Sequence, residues 1–314
     1  WSPILLSIAI YLLIIIYADL NKLTGAIKQF YWPYLPILFL LTTSNYLLRY
    51  IKWDFFLKKA GIHLNLKENL FVFFSGLSMI ITPGKMGEIW KGWLIKDMKG
   101  TELSKTIPVV IVERITDVLG LVILSLFGIL YYKQSIDIIL IFITLVLTFF
   151  AIIRSKKISG KIISILERKM KRHAENIKTM HMTFQKTMEP KGIIVMSILS
   201  AIAWLFECIG MYLVVLGFHE SISLLYATFI FSFASLAGAL SMIPGGLGIA
   251  EATIFSLLET QGIPQATAVG IALIVRLGTL WYGAFMGMAV YFLYRKKYHI
   301  KNHDTQNDRK NIKT

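Results

Sequence analysis

The stretch GLSMIITPGKMGE (76–88) has a counterpart in GALSMIPGGLGIAE (238–251), and this pair decides the fold. Both read Ser-Met-Ile, then Pro-Gly-x-x-Gly, then a glutamate, Glu88 or Glu251. Each is followed by an arginine inside the next apolar segment, 31 residues from Pro83 to Arg114 and 32 from Pro244 to Arg276. A motif pair with a shared downstream spacing marks an internal repeat. Proline and glycine break helices because one lacks an N–H and the other lacks a side chain. The two motifs therefore predict hairpins, each turning within an apolar stretch.

The surroundings place those hairpins in lipid. The 314 residues are 56% hydrophobic and 16% charged, against roughly a quarter charged in soluble domains. Apolar segments fall at 3–20, 34–52, 68–82, 106–132, 136–153, 192–217, 221–243 and 264–294, while 247–258 is too short to span. Several approach the ~20 residues that carry a helix across ~30 Å of hydrocarbon. They are apolar on all sides, unlike the alternating ~10-residue strands of a membrane barrel. Segment 3–20 is too long for a signal-peptide core and lacks a small-residue cleavage site, so it reads as a retained span. The single cysteine, Cys208, excludes an intramolecular disulfide and a cysteine-based metal site.

The net charge of +15 raises nucleic acid as a partner, but its distribution argues for membrane topology instead. Of 33 Lys and Arg residues, 28 fall in 49–67, 85–105, 154–191 and the tail from Arg295. Basic loops stay in the cytoplasm. With all four regions on that side, 68–82 must dip in and return, and a second hairpin must enter from outside, in keeping with the stretch 244–264, which holds no Lys or Arg. The expectation is an all-α polytopic membrane protein with about six full spans and two re-entrant hairpins in an inverted repeat. Both termini are cytoplasmic, with one membrane domain over 1–298 and a polar tail over 299–314. Trp32, Trp53, Trp90, Trp93, Tyr131, Tyr132 and Tyr294 fall at the predicted span ends, where aromatic belts form. Trp204 and Trp281 lie mid-span and read as packing residues.

Within 154–191, Ile158, Ile162, Ile165, Leu166, Met170, Ile177, Met180, Phe184 and Met188 recur at helical spacing among Lys and Arg. This suits a basic amphipathic helix on the anionic leaflet, or equally a cytoplasmic linker.

Charges within the bilayer cost at least ~2.5–3.5 kcal/mol each, so they pair or line a polar cavity. Glu113, Arg114 and Asp117 edge one helix face, Arg276 lies midway along the last span, and Glu207 lies in the sixth segment. Gly84, Gly87, Gly245, Gly246 and Gly248 let backbone amides approach a ligand, and helix N-termini beyond the turns favour an anion. With Arg114 and Arg276, these make a phosphate site, and Glu88, Glu113, Asp117 and Glu251 either neutralise the arginines or carry protons. The plainer readings are a static Arg114–Asp117 pair and an Arg276 lock on Glu251 or Glu207. No metal site or cofactor is expected: His299 and His303 sit in a polar tail, and there is no P-loop, H-E-x-x-H or G-x-S-x-G.

PGKMGE, ERITDVLG, IPGGLGIAE and RLGTLWYG, in that order, resemble the lysylphosphatidylglycerol synthase transmembrane-region family of flippase-like proteins, over about residues 5–298. The resemblance implies an inverted-repeat helical fold and lipid translocation. It transfers to Pro83, Gly84, Gly87, Glu88, Glu113, Arg114, Asp117, Pro244, Gly245, Gly246, Gly248, Glu251 and Arg276. Only a polar tail follows Tyr298, so no aminoacyl transferase activity is expected. The expected function is translocation of an anionic lipid or polyprenyl-phosphate carrier in the cell membrane. The alternatives are a non-transporting anchor for a glycosyltransferase and a small-anion transporter. Membrane lipids are the expected partners, with a glycosyltransferase or a second copy open and nucleic acid excluded.

Overall fold

A computed structural model describes residues 2–82, 87–129, 144 and 174–298. The regular structure among them is helical throughout, with no strand. The expected span 136–153, most of the basic segment 154–191, Pro83, Gly84, Tyr131, Tyr132 and the 299–314 tail lie outside the described residues.

The first apolar segment forms α1 (Ser2–Ala18) and stops at Asp19, which sits at φ 61° and accepts a hydrogen bond from the Asn21 amide at 3.0 Å. The chain bends there by 86° into α2 (Leu20–Gln29), an amphipathic helix the apolar pattern had not separated. Next comes α3 (Tyr34–Lys59), about 39 Å long at 1.5 Å per residue. The first hairpin follows: α4 (Leu66–Gly76), opened by an Asn65/Glu68 capping box, and α5 (Trp90–Lys99), closed by left-handed Gly100. Then come α6 (Leu103–Ile129), α7 (Ala174–Thr187) and α8 (Pro190–Gly217). The second hairpin is α9 (Leu224–Leu240), a tight turn at Pro244–Gly246, and α10 (Ile249–Glu259). The chain ends in α11 (Gln265–Arg276), a π-helical turn at Leu277–Trp281, and α12 (Tyr282–Tyr294).

Among the described residues, Pro190–Gly217 and Gln265–Tyr294 are long and apolar enough to cross a membrane, and the bent α1–α2 pair is a third candidate. The helices α3 and α6 are as long, but each carries several charges. Arg49, Lys52, Glu113 and Asp117 among them are turned inward, while Lys58 and Lys105 are exposed. Outward-facing positions include large apolar side chains, with Ile16 74%, Leu40 67% and Leu293 75% exposed.

The two halves have the same order: long helix, broken hairpin, long helix. Their first helices run antiparallel along one seam. Lys59 reaches Glu189, Arg49 stacks on Trp204, and the Tyr31 amide donates to the Gly217 carbonyl at 2.8 Å. The remaining contacts are reciprocal. Ser200 of α8 donates to Asp117 of α6 at 2.7 Å, while Thr42 and Tyr46 of α3 donate to the Gly278 and Thr279 carbonyls at 2.9 Å. Each half also clasps the other's hairpin: α6 packs on α9, with Ser125 donating to Ser232 at 2.9 Å, and α12 packs on α4.

Three charges counted as cytoplasmic loop residues are core residues: Arg49, Lys52 and Lys91 are each at most 2% exposed. The reason is geometric. The α3 helix continues past the apolar segment to Lys59, and its buried stripe Leu38, Thr42, Asn45, Tyr46, Arg49, Lys52, Trp53, Phe56 and Leu57 keeps helical period throughout. Trp53, expected in an interfacial belt, is fully buried and donates to Asn69 at 2.9 Å. In α7, Phe184 and Met188 pack against the protein core.

Candidate functional site

The site starts at the hairpin tips. Ile80 and Ile81 of the first meet Ile243 and Leu247 of the second, together with Leu280. The second tip owes its shape to glycine. Gly246 sits at φ 65°, and a Cβ there would stand 2.8 Å from Gly238 Cα. No side chain fits such a contact, so the chain passes α9 at backbone distance.

Beside the tips, the first half assembles a buried ion network. Lys91 of α5 contacts Glu88 at 3.0 Å and Glu113 at 2.7 Å. Arg114 reaches Glu88 at 3.1 Å, Glu113 at 2.8 Å and Asp117 at 3.1 Å. Lys52 contacts Asp117, and also Ser200 at 3.1 Å and the Glu113 carbonyl at 3.3 Å. Taking these charges out of water costs several kcal/mol per ion, offset only when each finds partners. The interleaving of three carboxylates with lysines and arginines supplies them.

Arg49 is the exception. Its side chain is 1% exposed, its nearest carboxylate oxygen, Asp117 Oδ2, is 3.6 Å away, and none of its three guanidinium nitrogens makes a hydrogen bond. A buried charged donor left so costs more than the ~1–3 kcal/mol of a neutral one. Two rings hold it instead, Trp204 at 5.5 Å and Tyr46 at 5.8 Å from the guanidinium carbon. Cation–π contact uses the face of the guanidinium and leaves its N–H edges unused.

The second half repeats the Glu–Arg pair. Arg276 donates from Nε to Glu251 at 2.8 Å and from Nη2 to the Gly245 carbonyl. Tyr11 donates to Glu251 at 3.1 Å and accepts from Trp281 at 2.9 Å. Arg276 immediately precedes the π-helical turn, an irregularity frequent at functional sites.

A cavity of about 60 Å³ lies between the halves, lined among others by Tyr46, Arg49, Trp204, Glu207, Gly246 and Arg276. At ~10–15 Å³ per water it has room for a few water molecules. Gly245 also lines it, whereas Arg114, Glu88, Glu113 and Asp117 do not, Asp117 lying 3.6 Å from Arg49. The amides of Gly87, Gly246 and Gly248 are engaged, donating to Thr82 Oγ1 at 2.7 Å, the Ile243 carbonyl at 2.9 Å and Glu251 at 2.8 Å. Pro244 starts the short turn that contains Gly245 and Gly246. Sequence reasoning missed Arg49, Lys52 and Lys91.

Comparison with known proteins adds the lineage. The sequence model of the lysylphosphatidylglycerol synthase TM region matches residues 4–287. A UPF0104 membrane protein of Methanothermobacter thermautotrophicus is 27% identical over 305 residues, covering 90% of each chain. One from Pyrococcus horikoshii is 25% identical over 315 residues, covering 90% of this chain and 94% of its own. Another, from Methanocaldococcus jannaschii, is 21% identical over 228 residues, covering 68% of this chain and 92% of its own.

Proposed function

The chain belongs to the lysylphosphatidylglycerol synthase transmembrane-region family, and from that premise we propose that it is a membrane lipid translocase. Its substrate class is an anionic lipid or a polyprenyl-phosphate carrier, moved between leaflets of the cell membrane by rearrangement of two inverted halves. The observation that carries this reading is the meeting of two broken hairpin tips beside a polar cavity that holds Arg276 and Glu207. Broken apolar helices in corresponding positions of two halves are how transporters build a mid-bilayer site. The antiparallel α3–α8 seam supports hairpins that enter from opposite faces, with the tail and the 49–67 region on the cytoplasmic side.

In this mechanism the arginines attract the headgroup phosphate and the acids balance them. Arg114 and Arg276 each hold a glutamate from their own hairpin, so moving a hairpin changes which charges face the cavity. The cavity is too small for a headgroup with its chains, so the tips part during transport. The turn at Pro244–Gly246 gives the second tip that freedom.

The test is reconstitution in liposomes containing headgroup-labelled phosphatidylglycerol, with leaflet position read by reduction of the label from outside. Wild type moves the label across, and Arg276→Ala does so at least ~10-fold more slowly. A wild-type rate equal to that of protein-free liposomes refutes the proposal. Uptake of soluble phosphate in place of lipid also refutes it.

A further inference from the structure

The geometry points to Arg49 and Arg276, one from each half, as the two arms of a single seat for a phosphate group, occupied together with a proton on Glu207. This deepens the translocase reading and rests on it for the location of the substrate. The arrangement differs from the arginine pair the motifs suggest. Arg114 is committed to three carboxylates within 3.1 Å. Arg49 makes no hydrogen bond, although it is buried and lines the cavity. The Tyr46 and Trp204 rings lie beside its guanidinium carbon and none of its three nitrogens makes a hydrogen bond, so its N–H groups are available to a bidentate oxyanion. Opposite, Arg276 is anchored through Nε and Nη2, and neither contact uses Nη1.

Among the described residues, the charges around this seat balance before any ligand arrives. Arg49, Lys52, Lys91, Arg114 and Arg276 face Glu88, Glu113, Asp117, Glu251 and Glu207. An anion added in this buried site therefore needs a compensating positive charge. Glu207 is the carboxylate that lines the cavity itself. Facing it are Tyr46 and Arg49 of α3, with Lys52 one turn beyond. From α11 comes Arg276, and from α9 the uncharged Phe231 and Ser235, while Asp117 of α6 lies 3.6 Å from Arg49. Binding takes one proton from solvent onto the Glu207 carboxylate and breaks no covalent bond.

The probes are dihexanoyl-phosphatidylglycerol and inorganic sulfate, whose charges do not change between pH 6 and 8. Each is titrated by calorimetry into the full chain in dodecyl maltoside, in two buffers of different ionisation enthalpy. The lipid probe binds with one proton taken up per anion, and affinity rises towards ~10-fold per pH unit of acidification. Arg49→Ala and Arg276→Ala each weaken binding by about 30-fold or more, and Arg49→Lys restores part of it. Glu207→Gln binds more tightly than wild type at pH 8 and without proton uptake. Arg49→Lys and Arg49→Gln serve if the alanine variant does not fold. Binding of the lipid probe alone supports a lipid source for the phosphate, and equal binding of sulfate supports a free anion. The seat is overturned if wild type binds neither probe or if the Arg49 variants bind as wild type. An unchanged proton count in Glu207→Gln overturns the role of Glu207. If the seat binds but labelled lipid does not cross liposomes, the translocase reading falls and the seat stands. If lipid crosses and Arg49→Ala binds normally, the reverse holds.

Discussion

Replacing Gly246 by alanine tests the contact on which the cavity wall depends. Gly246 and Gly262 both have left-handed backbone, φ 65° and 81°, but their surroundings differ. A Cβ on Gly246 would stand 2.8 Å from Gly238 Cα and 3.1 Å from its carbonyl carbon, whereas one on Gly262 meets nothing within 4 Å. Holding an L-residue in this conformation costs about 1–2 kcal/mol, and that cost falls on both variants. The gain from restricting the unfolded chain, about 0.4–1 kcal/mol, is also common to both. Only Gly246→Ala must in addition push two backbones apart, an overpacking cost of about 1–3 kcal/mol. Reversible unfolding in dodecyl maltoside titrated with dodecyl sulfate should therefore rank Gly246→Ala below Gly262→Ala by about 1–3 kcal/mol. Equal stabilities would mean the tip does not lie against α9, and the argument for a shared cavity would fail.

Three other expectations can be checked with the same preparation. Glu113→Gln leaves Lys91 buried with Glu88 as its remaining acidic contact, and should destabilise by about 3–5 kcal/mol in that unfolding assay; adding Lys91→Met should recover part of the loss. The Lys59 hydrogen bond holds the exposed Glu189 carboxyl below the usual carboxylate range. That contribution is complete above the ordinary glutamate value of about 4.3 and is lost as pH falls through the lowered one. The melting-temperature gap between wild type and Glu189→Gln should accordingly close below about pH 4, and a gap that persists there would contradict the pairing. Finally, buried Cys208 should resist maleimide in the intact protein, whereas Lys58→Cys and Ser221→Cys should label from opposite sides of a sealed vesicle. Labelling of both from one side would contradict hairpins entering from opposite faces.

Much of this site could be read from residue spacing. The Pro-Gly motifs mark two hairpins, and the arginine that follows each becomes the partner of that hairpin's own glutamate, Arg114 with Glu88 and Arg276 with Glu251. Those contacts are set within one repeat, so one repeat's sequence is enough to suggest them. Arg49 belongs to the seam between repeats, and its neighbours Trp204 and Asp117 lie far away in sequence. Counting basic residues to find the cytoplasmic side also treats every Lys and Arg near a span end as a loop charge. A cue was present. Leu38, Thr42, Tyr46, Arg49, Trp53 and Phe56 recur every three or four residues, and a charge on such a stripe faces the interior. The bend at Asp19 was invisible for another reason: it rests on a local cap that leaves hydropathy unchanged.

The mutual clasp of the halves limits what each can do alone. Because α12 covers α4 and α6 covers α9, a fragment ending near Ile129 would leave α4 without its cover, and one beginning near Ala174 would strand α9. Neither piece should persist by itself. Made together in one cell, they should knit into a working whole, since every tie across the seam is non-covalent. A single cut between Ile129 and Ala174 should therefore leave the two pieces bound to each other.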